Sequence, residues 1–193
     1  ARARKGDDSL RLMDPDDETE LLTVQFYDRS SIINPCLDSS VRFVEKLVDE
    51  VMKMYAEAQL GLEVWQFGGD EAKNILLGGG YAAYYDLPKE VPFSKSPACI
   101  KKMQEDPTIN VDTDAANYWA LVVNKILAQK GIREMVAWED GLNGMTKEEF
   151  EINEVSVNFR STLFWGATDA LVEASRTGFG VIMANPDYLY FDF

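Results

Sequence analysis

Apolar positions along this chain recur with two different periods. The runs "LTVQFY" (22–27), "LEVWQF" (62–67), "EMVAW" (134–138), "EVSVNF" (154–159) and "GVIMAN" (180–185) are short and rich in β-branched and aromatic residues, and they predict five strands. Between them lie stretches of helical period. "DSSVRFVEKLVDEVMKMYAEA" (38–58) places Val41, Val44, Val48, Val51, Met52 and Tyr55 on one face, with Asp38 as N-cap and Gly61 beyond the end. "TDAANYWALVVNKILAQKG" (113–131) predicts a second helix, capped by Thr113 or Asp112 and closed by Gly131. "TDALVEASRTG" (168–178) predicts a third with a Gly stop, and a long Gly- and Pro-containing loop joins the second strand to the second helix. The fifth strand is expected to run on into "YLYFDF". Alternation would then set Tyr188, Tyr190 and Asp192 on one face and Leu189, Phe191 and Phe193 on the other.

Apolar strands alternating with helices predict an α/β fold, a parallel sheet covered by helices. Two closures fit, an open doubly wound sheet or a (β/α)8 TIM barrel, and about five strands would leave a barrel incomplete. The absence of a Gly-rich phosphate loop after the first strand weighs against a nucleotide-binding sheet. No internal repeat, low-complexity tract or linker divides the chain, so residues 1–193 read as one domain.

Charge and composition narrow the chemistry. Acidic residues number 33 against 19 basic, a formal charge of −14, which repels phosphate backbones and argues against nucleic acid as a partner. No run of apolar residues is long enough to span a membrane. Histidine is absent, which removes the commonest general base and metal ligand and every triad that needs an imidazole. Neither a metal site nor a cofactor is expected. The chain opens without Met and stops inside an aromatic run, and we expect it to be an excerpt of something longer.

In parallel α/β folds, chemistry gathers at the carboxyl ends of the strands. Asp70 and Glu71 follow the second predicted strand, behind Gly68 and Gly69; Trp138, Glu139 and Asp140 close the third; Arg160 and Trp165 follow the fourth; Tyr188, Tyr190 and Asp192 belong to the last run. Each has a plain alternative: a solvated turn for the Asp-Glu pair, core packing for the tryptophans, a structural strand for the tyrosines. Together they resemble the inventory of a carbohydrate site, where aromatic rings cover sugar faces and carboxylates take hydroxyls or protonate a glycosidic oxygen.

The motifs are more specific than the inventory. "FGGDEA", "AWEDG" and "NPDYLYFDF", in that order, resemble the bacterial chitobiase branch of glycoside hydrolase family 20, the β-N-acetylhexosaminidases; "LMDP", "TVQFY", "NPCLDSS" and "FWGATDAL" extend the resemblance over essentially the whole chain. It implies a partial catalytic barrel, about strands three to seven of eight. It also implies an exo-acting enzyme that removes terminal N-acetylglucosamine from chitobiose or chitooligosaccharides, retaining configuration through an oxazolinium intermediate. On that likeness Glu71 is the general acid and base, Asp70 orients the acetamido group, and Tyr190 donates to the acetamido oxygen. Asp192 binds sugar hydroxyls and Trp138 is one of the tryptophans walling the acetamido pocket; Trp165 is a further candidate for substrate binding.

Two positions depart from the family pattern: Gln66 stands where a His is usual, and Arg160 where the chitobiase branch has a Trp. They leave open a catalytically impaired sugar-binding relative. A conventional two-carboxylate glycosidase, with Asp140 or Asp192 as nucleophile, is the other alternative. The resemblance further implies a disulfide between Cys36 and Cys99, which suits a periplasmic or secreted protein. It also assigns an Arg, a Trp and a Glu of the site to strands outside this chain, so residues 1–193 alone are expected to show weak or no activity. Oligomeric state is not legible.

Overall fold

The computed structural model describes residues 8–18, 33–70, 93–107, 109, 111–160 and 167–190. The predicted strand 22–27 lies outside them. The chain divides into two compact units, Ala1–Glu50 with Glu71–Trp119, and Val51–Asp70 with Ala120–Phe193.

The second unit carries the sheet. Strands β1 (Val64–Gln66), β2 (Glu134–Trp138), β3 (Glu154–Phe159) and β4 (Gly180–Met183) pair in parallel, in chain order. A doubly wound sheet reverses its strand order at a switch point, and among the described strands no reversal occurs; sequential order is what a barrel wall shows. The middle strands are apolar because both their faces are covered: Met135, Val136, Ala137, Val155, Val157 and Phe159 are all buried. Two features tighten the ladder. Ser156 donates to Glu134 across β2 and β3 at 2.6 Å, and a side chain at Gly180 would meet Ser156 Oγ at 2.5 Å. At the amino ends, Arg133 makes a two-pronged contact with Glu154 (2.9 Å to each oxygen) and lies 3.7 Å from Glu63. Such exposed pairs contribute little energy, but they mark that end as a structural rim.

Helix α1 (Asp38–Glu57) follows its predicted span, with Asp38 as its first residue. Val44 and Val48 are buried as the period demands, whereas Tyr55 is exposed. The helix does not end on Gly61. Gln59 adopts the left-handed conformation (φ 60°), with its N–H on Ala56 O and the Leu60 N–H on Tyr55 O, both at 2.9 Å. That is a Schellman closure with glutamine in the glycine position. Helix α3 (Val111–Gln129) begins just ahead of Asp112 and Thr113 and ends as expected. Gly131 (φ 74°) donates to Ala128 O, and Ile132 to Leu127 O. Helix α4 (Ala167–Arg176) stops before Gly178 (φ 78°).

Two expectations fail. The long loop contains a helix, α2 (Pro97–Glu105), whose Pro97 sits at the first turn and whose N-cap is Ser96. The last strand does not run on into "YLYFDF". Asn185 accepts the Asp187 N–H at 2.8 Å, Pro186 suits a first helical turn, and Pro186–Leu189 form a short helix α5. Tyr188 is 82% and Leu189 56% exposed, so Tyr188 and Tyr190 do not alternate along a strand; Asp192 lies outside the described residues. An Asn-Pro pair overrode a β-rich composition.

In the first unit the motifs "LMDP" and "NPCLDSS" prove to be architecture. Asp14 accepts from Ser96 Oγ at 2.8 Å and from the Ala98 N–H at 3.1 Å, at the start of α2. Asn34 donates to Ser96 Oγ at 3.0 Å and accepts the Cys36 N–H at 2.9 Å. Asn34 and Ser96 are buried, and buried polar groups need such partners. This network seats the Cys36–Cys99 disulfide (Cα–Cα 5.0 Å) against Phe93, with Met103, Ile109, Ala115 and Tyr118 around it. Burial pushes the Tyr118 phenol above its ordinary pKa.

The disulfide closes a 63-residue separation, for which the chain-entropy picture gives about 4 kcal/mol. Cys36→Ser is therefore expected to lower unfolding free energy by up to that amount in denaturant titrations. Gln59→Gly removes a left-handed side chain, and a gain of up to about 1 kcal/mol is expected in the same measurement.

Candidate active site

Past Gln66 the backbone keeps pairing with β2. The Phe67 N–H donates to Val136 O at 2.7 Å, and the Trp138 N–H donates to Gly68 O at 2.9 Å. The Gln66 side chain turns onto its own loop, its Oε1 accepting the Gly68 N–H at 2.9 Å. Gly68 and Gly69 then take φ values of 82° and 87°, a left-handed pair that only glycine adopts without strain. Space adds a second reason at Gly69. A Cβ there would lie 2.8 Å from the Phe67 ring and 3.1 Å from Gly141 Cα, while one on Gly141 would lie 2.9 Å from both Gly69 Cα and Gly69 O. Two backbones, leaving β1 and β2, therefore touch without side chains between them, and Asp70 emerges from that contact at the strand end.

Asp70 Oδ2 lies 3.5 Å from Arg160 Nη1; the arginine side chain is 23% and the carboxylate 35% exposed. Arg160 follows β3, and its main-chain N–H donates to Glu139 Oε2 at 2.9 Å. Its guanidinium carbon stands 5.7 Å from the centre of the Trp138 ring, within cation–π range. A carboxylate, a guanidinium and an indole thus converge from the ends of three successive strands. The partly exposed carboxylate offers a hydrogen-bond acceptor beside a guanidinium that packs on an indole, which is the chemistry of polar-ligand recognition.

Of the residues singled out from sequence, Asp70, Trp138 and Arg160 are brought together. Gln66 lies one turn behind them and serves the loop backbone. Tyr190 is half-buried at the end of α5, its N–H on Pro186 O at 3.3 Å. Glu71, Trp165 and Asp192 lie outside the described residues, as does the side chain of Asp140. Cys36 and Cys99 belong to the other unit. Sequence reasoning named Glu139 only as a strand-end carboxylate, not as the anchor of Arg160, and left out Gly141, the partner of Gly69. Both stand inside "AWEDG".

The family model for the glycosyl hydrolase family 20 catalytic domain matches residues 3–193. Over 195 residues the chain is 43% identical to an N,N'-diacetylchitobiase of Vibrio harveyi, covering 94% of this chain and 22% of that protein. It is 29% identical over 185 residues to a beta-hexosaminidase of Vibrio vulnificus, covering 94% of this chain and 20% of that one. The chain thus spans about a fifth of the length of the curated relatives it matches. Among solved structures, a family 20 exo-β-N-acetylglucosaminidase of Vibrio harveyi in complex with N-acetylglucosamine superposes with a TM-score of 0.60 at 21% identity, over 89% of this chain and 22% of that one. A β-N-acetylhexosaminidase of Bacteroides fragilis gives 0.52, also at 21% identity, over 84% and 27%. These likenesses concern the fold: the parallel strands belong to a TIM barrel that this chain forms in part.

The glycine contact is open to test. Gly141→Ala is expected to cost about 1–3 kcal/mol, as overpacking does, and to perturb the Asp70 loop. Gly61→Ala, whose Cβ meets nothing within 4 Å, should leave the thermal midpoint nearly unchanged.

Proposed function

This chain belongs to glycosyl hydrolase family 20, and from that premise we propose that the protein is an exo-acting β-N-acetylhexosaminidase that releases terminal N-acetylglucosamine from chitobiose or short chitooligosaccharides. The observation that carries the reading is the placement of Asp70 at a strand end by the Gly68–Gly69 turn, beside an Arg160 guanidinium that lies over the Trp138 ring, in a chain 43% identical to a diacetylchitobiase.

Family 20 catalysis is substrate-assisted, so no enzyme carboxylate attacks the sugar. In the proposed reaction the 2-acetamido oxygen attacks C1 while Glu71 gives its proton to the glycosidic oxygen, and that C–O bond breaks. Asp70 accepts the acetamido N–H, aims the group, and offsets the positive charge of the oxazolinium. Glu71, now a carboxylate, takes a proton from the water that reopens the ring at C1, so configuration is retained. Adjacency serves this division, because one carboxylate faces the leaving group and its neighbour the acetamido group. Tyr190 is assigned to the acetamido oxygen, Asp192 to sugar hydroxyls, and Trp138 and Trp165 to the walls. The disulfide supports a periplasmic or secreted location.

The Arg160–Asp70 pair favours a second reading, a relative that binds the sugar but has lost the reaction, because a guanidinium competes for the acetamido group's acceptor. One experiment separates the two. The full-length protein should hydrolyse a chromogenic N-acetylglucosaminide, and Glu71→Gln should reduce kcat by about 100-fold or more. A protein that binds chitobiose without hydrolysing it supports the second reading. Failure to do either removes both.

A further inference from the structure

The glycine turn fixes where the backbone of Asp70 goes, but not where its carboxylate points. Two side-chain bonds remain to be set, and among the described residues the carboxylate meets Arg160, 3.5 Å from Oδ2. Arg160 is not a roaming surface charge. Its main chain is tied to Glu139 at 2.9 Å, its guanidinium lies over the Trp138 ring at 5.7 Å, and about three-quarters of its side chain is covered. The cation is therefore held by β2 and β3 and presented to a residue that follows β1.

We propose that Arg160 is a positioning residue for Asp70: by engaging Oδ2 it selects the carboxylate orientation that leaves Oδ1 to accept the substrate's amide N–H. The proposal rests on the reading of Asp70 given above. A pair that is partly exposed and single-pronged contributes little to stability, so its effect is one of aim and amounts to a few-fold change in rate. Because Asp70 does most for the charged intermediate, the effect belongs in kcat rather than in KM. It also has to vanish when Asp70 can no longer be aimed as a carboxylate.

A double-mutant cycle in the full-length protein, read with a chromogenic N-acetylglucosaminide, tests this. Arg160→Met is expected to lower kcat about fivefold at little-changed KM, and Arg160→Lys to recover part of the loss. In an Asp70→Asn background, Arg160→Met should alter kcat by less than about twofold. A fivefold loss that persists in that background means that Arg160 acts on its own account, and overturns the proposal. A rise in kcat in Arg160→Met also overturns it, since the guanidinium would then be opposing the cationic intermediate. If the parent protein neither hydrolyses nor binds an N-acetylglucosaminide, the functional reading itself falls and the proposal with it, a result distinct from additivity in an active enzyme.

Discussion

The contact between Gly69 and Gly141 is the constraint on which the site depends. Parallel pairing of β1 with β2 continues beyond Gln66 through Phe67 and Gly68, and then stops where two backbones come into van der Waals contact. A Cβ on either glycine would come within 2.9–3.1 Å of the other backbone, so the loops would have to give way. Asp70 follows directly and meets a guanidinium that is itself held by the next two strands. The chemistry at the strand ends is thus set by close backbone approach, and the side chains follow from it.

The two ends of the sheet make different use of the same ingredients. At the amino ends Arg133 meets Glu154 and Glu63 in an exposed cluster, which ties strands together and faces water. At the carboxyl ends the Arg160 guanidinium meets Asp70 while its main-chain N–H meets Glu139, and the side chain is mostly covered and lies beside an indole. Partial burial makes charge interactions stronger and more directional. That difference, rather than residue type, separates a structural rim from a candidate site, and it agrees with the general placement of barrel chemistry at the carboxyl ends.

The motifs of the first unit show that a family signature need not be functional. Asp14, Asn34 and Ser96 form one hydrogen-bonded set that starts α2 and seats the disulfide. Their constraint is satisfaction of buried polar groups.

Much of this protein was legible in the amino-acid order. The strands Glu134–Trp138 and Glu154–Phe159, helix α1 and the stops at Gly131 and Gly178 follow from period and from glycine chemistry, both local properties of the chain. The candidate carboxylate Asp70, Trp138 and Arg160 stood out because strand ends are predictable once strands are. Other features were not legible. Helix α2 has a local start in Ser96 and Pro97, but that start is tied to an aspartate some eighty residues upstream, a partner no local window contains. The tail after β4 turns into α5 because Asn185 and Pro186 cap a helix more strongly than "YLYF" favours a strand. Gln59 closes α1 although a glycine was near, because the closing hydrogen bonds fall two residues earlier. The roles of Glu139 and Gly141 were hidden for one reason. A hydrogen bond to a main-chain N–H and a space too small for Cβ leave no mark on composition or period, and exist only when distant strands are brought side by side.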